Sequence, residues 1–395
     1  MTTATANQQY FTITLSYWAF TLTDGALRML VLLFFHGLGY SPLELASLFI
    51  LYEFFGILTN LYGGWLATRI GLTTSLHIGI SLQILALGML CISPSMLNVV
   101  YVMAAQALSG VAKDLNKMSA KSSIKLLVND NQQTQLFRWV ALLTGSKNTI
   151  KGLGFFLGGL LMATLDFRNS LVALIVLLSL TLVLSWLFLE SQKTTYKPKF
   201  HETLSKSINI NYLSAARFFL FGSRDIWFVI ALPVFLQSQL QWEYLQVGSF
   251  MAGWIIFYGV VQAAAPIITR NKQQNPPNGA TLTRWAWLLA IVPALIASGL
   301  WLAWNPTLTL IIGLLVYGAI FAVNSSVHSY LIIDYAERDS VSADVGFYYM
   351  ANAAGRLVGT LFSGLIYQQH GLSACLIASM LMVVSSCLLT RQLKG

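Results

Sequence analysis

Charge is scarce in this sequence. Only 9% of its 395 residues are Asp, Glu, Lys or Arg, against roughly a quarter in a soluble domain. The longest polar stretch is Glu190–Ser207, so no separate soluble domain fits. Cysteine is scarcer still. Cys91, Cys375 and Cys387 include no CxxC pair, which argues against a disulfide framework and a zinc site. Cys375 and Cys387 lie about 120° apart on a helix, so a soft-metal site on one face is not indicated either. The thiols read as small buried apolar residues. HExxH, GxSxG and P-loop signatures are missing, and the five histidines are scattered. The chain therefore reads as no enzyme, with no metal and no cofactor. Met1–Tyr10 carries no charge, unlike the basic start of a cleavable signal peptide, so the first apolar segment is expected to be retained.

What the chain does contain is apolar sequence. Hydrophobic residues make up 56% of it, in recurrent runs of about 20 residues, the length that crosses a bilayer core. Twelve spans are predicted: 13–36, 42–67, 71–92, 97–118, 138–163, 167–189, 213–237, 243–268, 284–304, 307–332, 342–368 and 371–390. The formal net charge is +9. Its basic residues sit in short loops rather than on a soluble face, so nucleic-acid binding is not expected. Arg69, Lys121, Lys125, Lys193, Lys197, Lys199, Lys206, Arg270, Lys272, Arg284, Arg338, Arg391 and Lys394 all fall on one side of this topology. Positive-inside bias makes that side cytoplasmic, with both termini on it.

The two halves repeat. Asp24 matches Asp225, and Thr68-Arg69 matches Thr269-Arg270. Lys151-Gly-Leu-Gly-Phe-Phe-Leu-Gly-Gly-Leu matches Arg356-Leu-Val-Gly-Thr-Leu-Phe-Ser-Gly-Leu. Gly64-Trp-Leu-Ala-Thr68-Arg69-Ile-Gly71-Leu72 resembles the loop motif of major facilitator transporters, although the acidic position is Thr68 and the later basic ones are Leu72 and Thr73. Gln106, four residues before Gly110, stands where that family has Arg, and Phe155 stands where its antiporters have proline. The resemblance implies an all-α membrane protein of two six-helix halves. We place these at 1–190 and 212–395, with a cytoplasmic linker at 191–211. In that fold the substrate binds near the bilayer midplane between the repeats.

Against this apolar background a few ionised groups stand out. One at bilayer depth costs at least about 2.5–3.5 kcal/mol, so it faces water, pairs, or handles substrate. Tyr17, Thr21, Asp24 and Arg28 share one face of the first span, and Asp24 and Arg28 are spaced to pair along it. Thr144, Lys147, Lys151, Gly154 and Gly158 align on the fifth span, as do Tyr349, Asn352, Arg356, Gly359 and Ser363 on the eleventh. Arg224 and Asp225 are neighbours that point about 100° apart, so they are not expected to pair face to face. Glu53 reads either as a protonatable carboxylate or as the partner of a nearby cation. Lys113, Lys117 and Lys121 form one basic face ending the fourth span, a funnel for anions. Asn324 and His328 share a face of the tenth span and read first as packing residues. Arg28, Lys147, Lys151, Arg224 and Arg356 against Asp24, Glu53 and Asp225 leave an excess of two positive charges. Substrate binding is assigned to Arg28, Lys147, Lys151, Arg224, Arg356, Asn352, Tyr17, Lys113 and Lys117. Charge balancing or proton coupling is assigned to Asp24, Glu53 and Asp225.

Several segments carry a narrower resemblance: Tyr17-Trp-Ala-Phe-Thr-Leu-Thr-Asp-Gly-Ala-Leu-Arg28, Tyr52-Glu-Phe-Phe-Gly56, Ala112-Lys-Asp-Leu-Asn-Lys-Met-Ser-Ala-Lys-Ser-Ser-Ile-Lys125 and Phe137-Arg-Trp-Val-Ala-Leu-Leu-Thr-Gly-Ser-Lys-Asn148. These are similar to the ArsJ family of organoarsenical efflux permeases. The resemblance implies export of 1-arseno-3-phosphoglycerate from the bacterial cytoplasm across the inner membrane, conferring arsenate resistance. It also implies a functional partnership with glyceraldehyde-3-phosphate dehydrogenase. A monomer in the lipid bilayer, working by alternating access as an antiporter, is expected. Pentavalent arsenic bound through oxygen needs no thiol, in keeping with the scattered cysteines. An organophosphate or phosphate exchanger would need a similar basic cavity, and a non-transporting membrane receptor or anchor for the dehydrogenase is the alternative of another class. Charge reversal by Lys151→Glu is expected to abolish anion transport measured in vesicles; transport left intact would count against the anion reading.

Overall fold

The computed structural model describes residues 6–127, 133–190, 207–269, 277–335 and 341–393. The helices are α1 (Ala6–Gly37), α2 (Pro42–Leu48), α3 (Ile50–Ile70), α4 (Leu72–Leu90), α5 (Val99–Leu127), α6 (Gln133–Thr164) and α7 (Phe167–Phe188). They continue as α8 (Ile208–Phe228), α9 (Ala231–Ser238), α10 (Tyr244–Ile268), α11 (Gly279–Trp301), α12 (Pro306–Tyr335) and α13 (Val341–Thr390). No strand occurs among the described residues. Each of the twelve sequence-predicted spans contains a helix. The second is α2 followed by α3, the seventh is α8 followed by α9, and the last two run together as α13. Among the described residues nine helical stretches are long and apolar enough to cross a membrane, and one of them, Asp344–Thr390, is long enough for two crossings. This is a multi-pass membrane protein.

The helix ends follow from local chemistry. Gly39 takes a positive φ of 87° after α1, a conformation that glycine adopts without strain. Ser41 then caps α2 in a reciprocal box with Glu44, and Pro42 enters at the first turn. Asp166 accepts from the Asn169 amide at 2.7 Å to start α7, and Asn278 accepts from the Thr281 amide at 3.0 Å to start α11. Gly371, at φ 72°, bends α13 into its two predicted halves. Between α8 and α9 the helix breaks, and the freed Ala231 amide donates to Ser363 Oγ at 3.0 Å. Broken helices survive in a membrane only where such groups find partners.

Two compact units form. The first is built from Met1–Phe34, Phe54–Phe200 and Tyr244–Ala252, the second from Phe35–Glu53, His201–Glu243 and Gly253–Gly395. In the first, α1 and α6 meet backbone to backbone. A Cβ on Gly25 would lie 2.9 Å from the Lys151 carbonyl oxygen, and one on Gly158 2.7 Å from that of Ala26. Gly154 fits the same seam against the Leu22 carbonyl. In the second unit α8 and α13 repeat the arrangement. A Cβ on Gly359 would lie 2.6 Å from the Gly222 carbonyl oxygen, and Gly355 faces that of Phe218 more tightly. Small residues let helices approach this closely where lipid gives no hydrophobic drive. Another pair of contacts follows the repeat: Gly159 meets Gly248 within the first unit, and Gly364 meets Pro42 and Ala46 within the second. The core of the second unit is aromatic, with Trp227, Trp254, Tyr258, Tyr317 and Phe321 in face and edge contacts.

Gly355→Ala is expected to cut the yield of folded protein or lower its thermal midpoint sharply, because the obstructing atom is backbone. Overpacking typically costs about 1–3 kcal/mol. Gly253→Ala, with nothing within 4 Å of the added carbon, is expected to be neutral or to gain up to about 1 kcal/mol. Thermal unfolding in detergent compares the two.

Candidate functional site

In the first unit the α1–α6 seam fixes where the charges emerge. Asp24 is buried and Arg28 half-buried on α1, while Lys147 and Lys151 are half-buried on α6. Trp18 Nε1 donates to Ser146 Oγ at 2.7 Å, tying α1 to the turn preceding Lys147. The Lys151 ammonium lies 5.7 Å from the centre of the Phe155 ring. Tyr17, assigned to substrate, is buried in an apolar cluster with Tyr10, Ile13 and Ala120.

The basic end of α5 is organised around an acid that the sequence reading passed over. Asp114 is buried beneath α3, where Gly56 leaves it room. Lys117 Nζ reaches Asp114 Oδ1 at 2.6 Å and Asn60 Oδ1 at 2.7 Å, and Lys113 Nζ lies 3.7 Å from Asp114 Oδ2. Asn60 is oriented for this by donating to the Gly56 carbonyl at 2.7 Å. The expected open funnel is thus an ordered triad at Lys113 and Lys117. One carboxylate answers two ammoniums and leaves a positive remainder. The side chains of Lys121 and Thr144, and those of the Thr68-Arg69 motif, lie outside the described residues.

In the second unit the charges form a chain. Arg356 of α13 contacts Glu53 Oε1 in a close ion pair and has its Nε 3.4 Å from Asp225 Oδ2. Arg224 Nε in turn donates to Asp225 Oδ1 at 2.7 Å. Glu53 is wholly buried. Of its two readings, the geometry places it as the partner of a cation. The expectation that Arg224 and Asp225 would not pair is overturned. Their backbone directions do diverge, but the three methylenes of Arg224 let the guanidinium fold back over its neighbour. Asn352 stands half-buried one turn before Arg356 on α13.

A further cation escaped the sequence reading. Arg217, only 4% exposed, lies two turns before Arg224 on α8. Its NH1 donates to Ser325 O at 3.2 Å and Ser325 Oγ at 3.0 Å. Its guanidinium lies 3.9 Å from the centre of the Phe221 ring, which also has the Arg224 guanidinium at 4.8 Å. No carboxylate among the described residues pairs with Arg217. Ring faces return about 0.5–2 kcal/mol, while taking an ion out of water costs several. His328, one turn past Ser325 on α12, is wholly buried with neither ring nitrogen hydrogen-bonded among the described residues. Asn324 Nδ2 donates to the Leu282 carbonyl at 3.3 Å, as a packing residue would. The sequence signal for Arg217 was present. Placing the start of the seventh span at 213 set this residue at the edge, whereas α8 begins at Ile208 and carries it well inside.

The mid-span charges now divide by unit. The first has Arg28, Lys113, Lys117, Lys147 and Lys151 against Asp24 and Asp114. The second has Arg217, Arg224 and Arg356 against Glu53 and Asp225. Each is cationic by itself. Glu53→Gln, which leaves Arg356 short of a buried partner, is expected to destabilise the protein by about 3–5 kcal/mol. The double variant Glu53→Gln/Arg356→Gln is expected to recover part of that loss, read as thermal midpoints in detergent.

The comparisons with known proteins agree with this architecture. No curated protein matches the sequence. Among solved structures, the human organic anion transporter MFSD10 (TETRAN) superposes with a TM-score of 0.68 at 16% identity, covering 98% of this chain and 99% of that one. The nucleoside transporter NupG gives 0.71 at 12% identity, with 98% and 99% covered. A bacterial homologue of the iron transporter ferroportin, in an inward-facing state, gives 0.70 at 13%, with 98% of both chains covered. The family model of the Major Facilitator Superfamily matches residues 11–282. The chain belongs to the major facilitator superfamily, whose members are transporters.

Proposed function

We propose that this transporter exports an organic anion with more than one acidic group, 1-arseno-3-phosphoglycerate, and so confers arsenate resistance. The observation that carries the anionic part is the positive remainder in the first unit, where Arg28, Lys113, Lys117, Lys147 and Lys151 stand against Asp24 and Asp114, while in the second unit Arg224 and Arg356 are matched by Asp225 and Glu53. A carrier of lipophilic cations would need the opposite sign. Lys151 in the first unit and Arg356 in the second are the groups we assign to the acidic ends. Lysine offers a compact point charge and arginine a planar fork suited to phosphate or arsenate oxygens. Arg28, Lys147, Arg224, Asn352 and the Lys113–Lys117 end of α5 complete the set. Asp24, Glu53 and Asp225 hold these cations in place, and the antiport partner would be a proton carried by one of them.

The arsenical identity rests on the ArsJ-like segments of α1, α3, α5 and α6, and with it the supply of substrate by glyceraldehyde-3-phosphate dehydrogenase. Likeness to an organic anion transporter at 16% identity speaks to fold, and one relative of the same fold is a nucleoside transporter. The location we assign is a bacterial inner membrane, with the loops rich in Lys and Arg and both termini cytoplasmic, as a monomer of two repeat halves joined by 191–211.

Uptake into everted vesicles tests the reading directly. The arsenate ester should accumulate and should be competed by 3-phosphoglycerate less well than by itself, and a proton gradient should stimulate accumulation. Equal competition would favour an organophosphate exchanger, and no uptake of either would favour a receptor or anchor. Lys151→Gln and Arg356→Gln are each expected to lower uptake at least about tenfold, the loss of one charge-assisted contact.

A further inference from the structure

We propose that Arg217, Ser325 and His328 form a second anion-binding subsite, inside the second unit and apart from the Glu53–Arg356–Asp225–Arg224 chain, for a compact group bearing one negative charge. Three observations converge. Arg217 is 96% withdrawn from solvent, with no carboxylate paired to it among the described residues. One guanidinium nitrogen is engaged by Ser325, while its Nε is buried with no acceptor. His328 is wholly buried with both nitrogens unanswered among the described residues, one turn past Ser325 on the same face of α12.

The chemistry of this set is weighted toward donors. A guanidinium donates only, a neutral imidazole brings one donor beside its one acceptor, and Ser325 Oγ, which accepts from Arg217 and from the Tyr258 hydroxyl at 3.4 Å, keeps its own proton to donate. What the cluster lacks is an acceptor with negative charge. Aromatic stacking on Phe221 and Tyr348 recovers only part of the cost of desolvating a guanidinium. Arg224, 4.8 Å from the same Phe221 ring, shows the contrast: its charge is met by Asp225 at 2.5 Å. The missing counter-charge at Arg217 would be met by a halide or by one oxyanion group. A free inorganic anion and an acidic end of the transported molecule present the same chemistry. Only the second source rests on the function proposed above.

Thermal unfolding of the full-length protein in detergent tests this without requiring transport. Chloride and inorganic phosphate are titrated against gluconate at matched ionic strength, and 3-phosphoglycerate separately. The expected result is a saturable rise in midpoint with a compact anion and none with gluconate, since a ligand that binds only the folded state stabilises it. Arg217→Gln should abolish the rise, and His328→Gln should weaken the apparent affinity about tenfold. Lys151→Gln, in the other unit, should retain the rise even though it loses transport, which separates failure of this subsite from failure of the transport reading. A response to 3-phosphoglycerate alone identifies the subsite with the transported anion, and a response to chloride or phosphate without competition identifies an inorganic ion. Equal midpoints in all salts, or an undiminished rise in His328→Gln, would overturn the proposal. Should Arg217→Gln not fold, Arg217→Lys with His328→Gln and Ser325→Ala decides it.

Discussion

An ion removed from water must be answered by its neighbours, and this structure meets that requirement through a few shared carboxylates. Asp225 contacts both Arg224 and Arg356, Arg356 also takes Glu53, and Asp114 takes both Lys113 and Lys117. Sharing is economical, because each acid desolvates once while steadying two cations. It also means that these groups act together. Loss of one member leaves its partners as buried uncompensated charges, the costliest arrangement in a low-dielectric interior. The surplus on which the proposed anion selectivity rests is therefore what remains after this matching, rather than the raw count of lysines and arginines.

The glycine seams make the matching possible. Because α8 and α13 touch through Gly222, Gly355 and Gly359, the short Asp225 side chain comes within reach of the Arg356 guanidinium. The equivalent seam of α1 and α6 holds Asp24, Arg28 and Lys151 on helices whose backbones are in contact. Duplication preserved the small residues and the place of the charge while changing its kind: lysine in one half, arginine in the other. A point charge and a fork place different geometric demands on an oxyanion, so the repeats are equivalent as scaffolds and distinct as ligands.

Much of this could be read from the chain before any coordinates. Each predicted apolar run contains a helix, and the repeat aligns Gly154 with Gly359, which make the same kind of contact. Three things escaped. Arg217 was hidden by a span boundary placed five residues late, an error that hydropathy invites because Asn209, Asn211 and Tyr212 dilute the first turns of α8. Asp114 stands in sequence as one letter in a basic run, since sequence does not say that Gly56 opens a place for it across α3. Backbone direction sets Arg224 and Asp225 apart, but it governs short side chains better than a long flexible one. The breaks at Phe49 and Val229–Ile230 likewise depend on tertiary partners, such as Ser363 for the Ala231 amide, that no local pattern announces.

Neutral clusters and carriers are compatible for a physical reason. Arg356 already has Glu53 and Asp225 as partners, so an oxyanion arriving there has to compete with carboxylates that are tethered and hence always present at high effective concentration. Such competition lowers affinity without lowering selectivity, because a cation or a neutral molecule gains nothing from displacing a carboxylate. Release is favoured by the same exchange, as the tethered acid returns to the arginine when the ligand leaves. A site of bare cations would bind the same anion more tightly and let it go more slowly, which is a poor design for a molecule that must bind on one side of a membrane and empty on the other. Arg217 does not share that arrangement, since no carboxylate among the described residues pairs with it, and an anion of the kind proposed there would exchange without such a competitor.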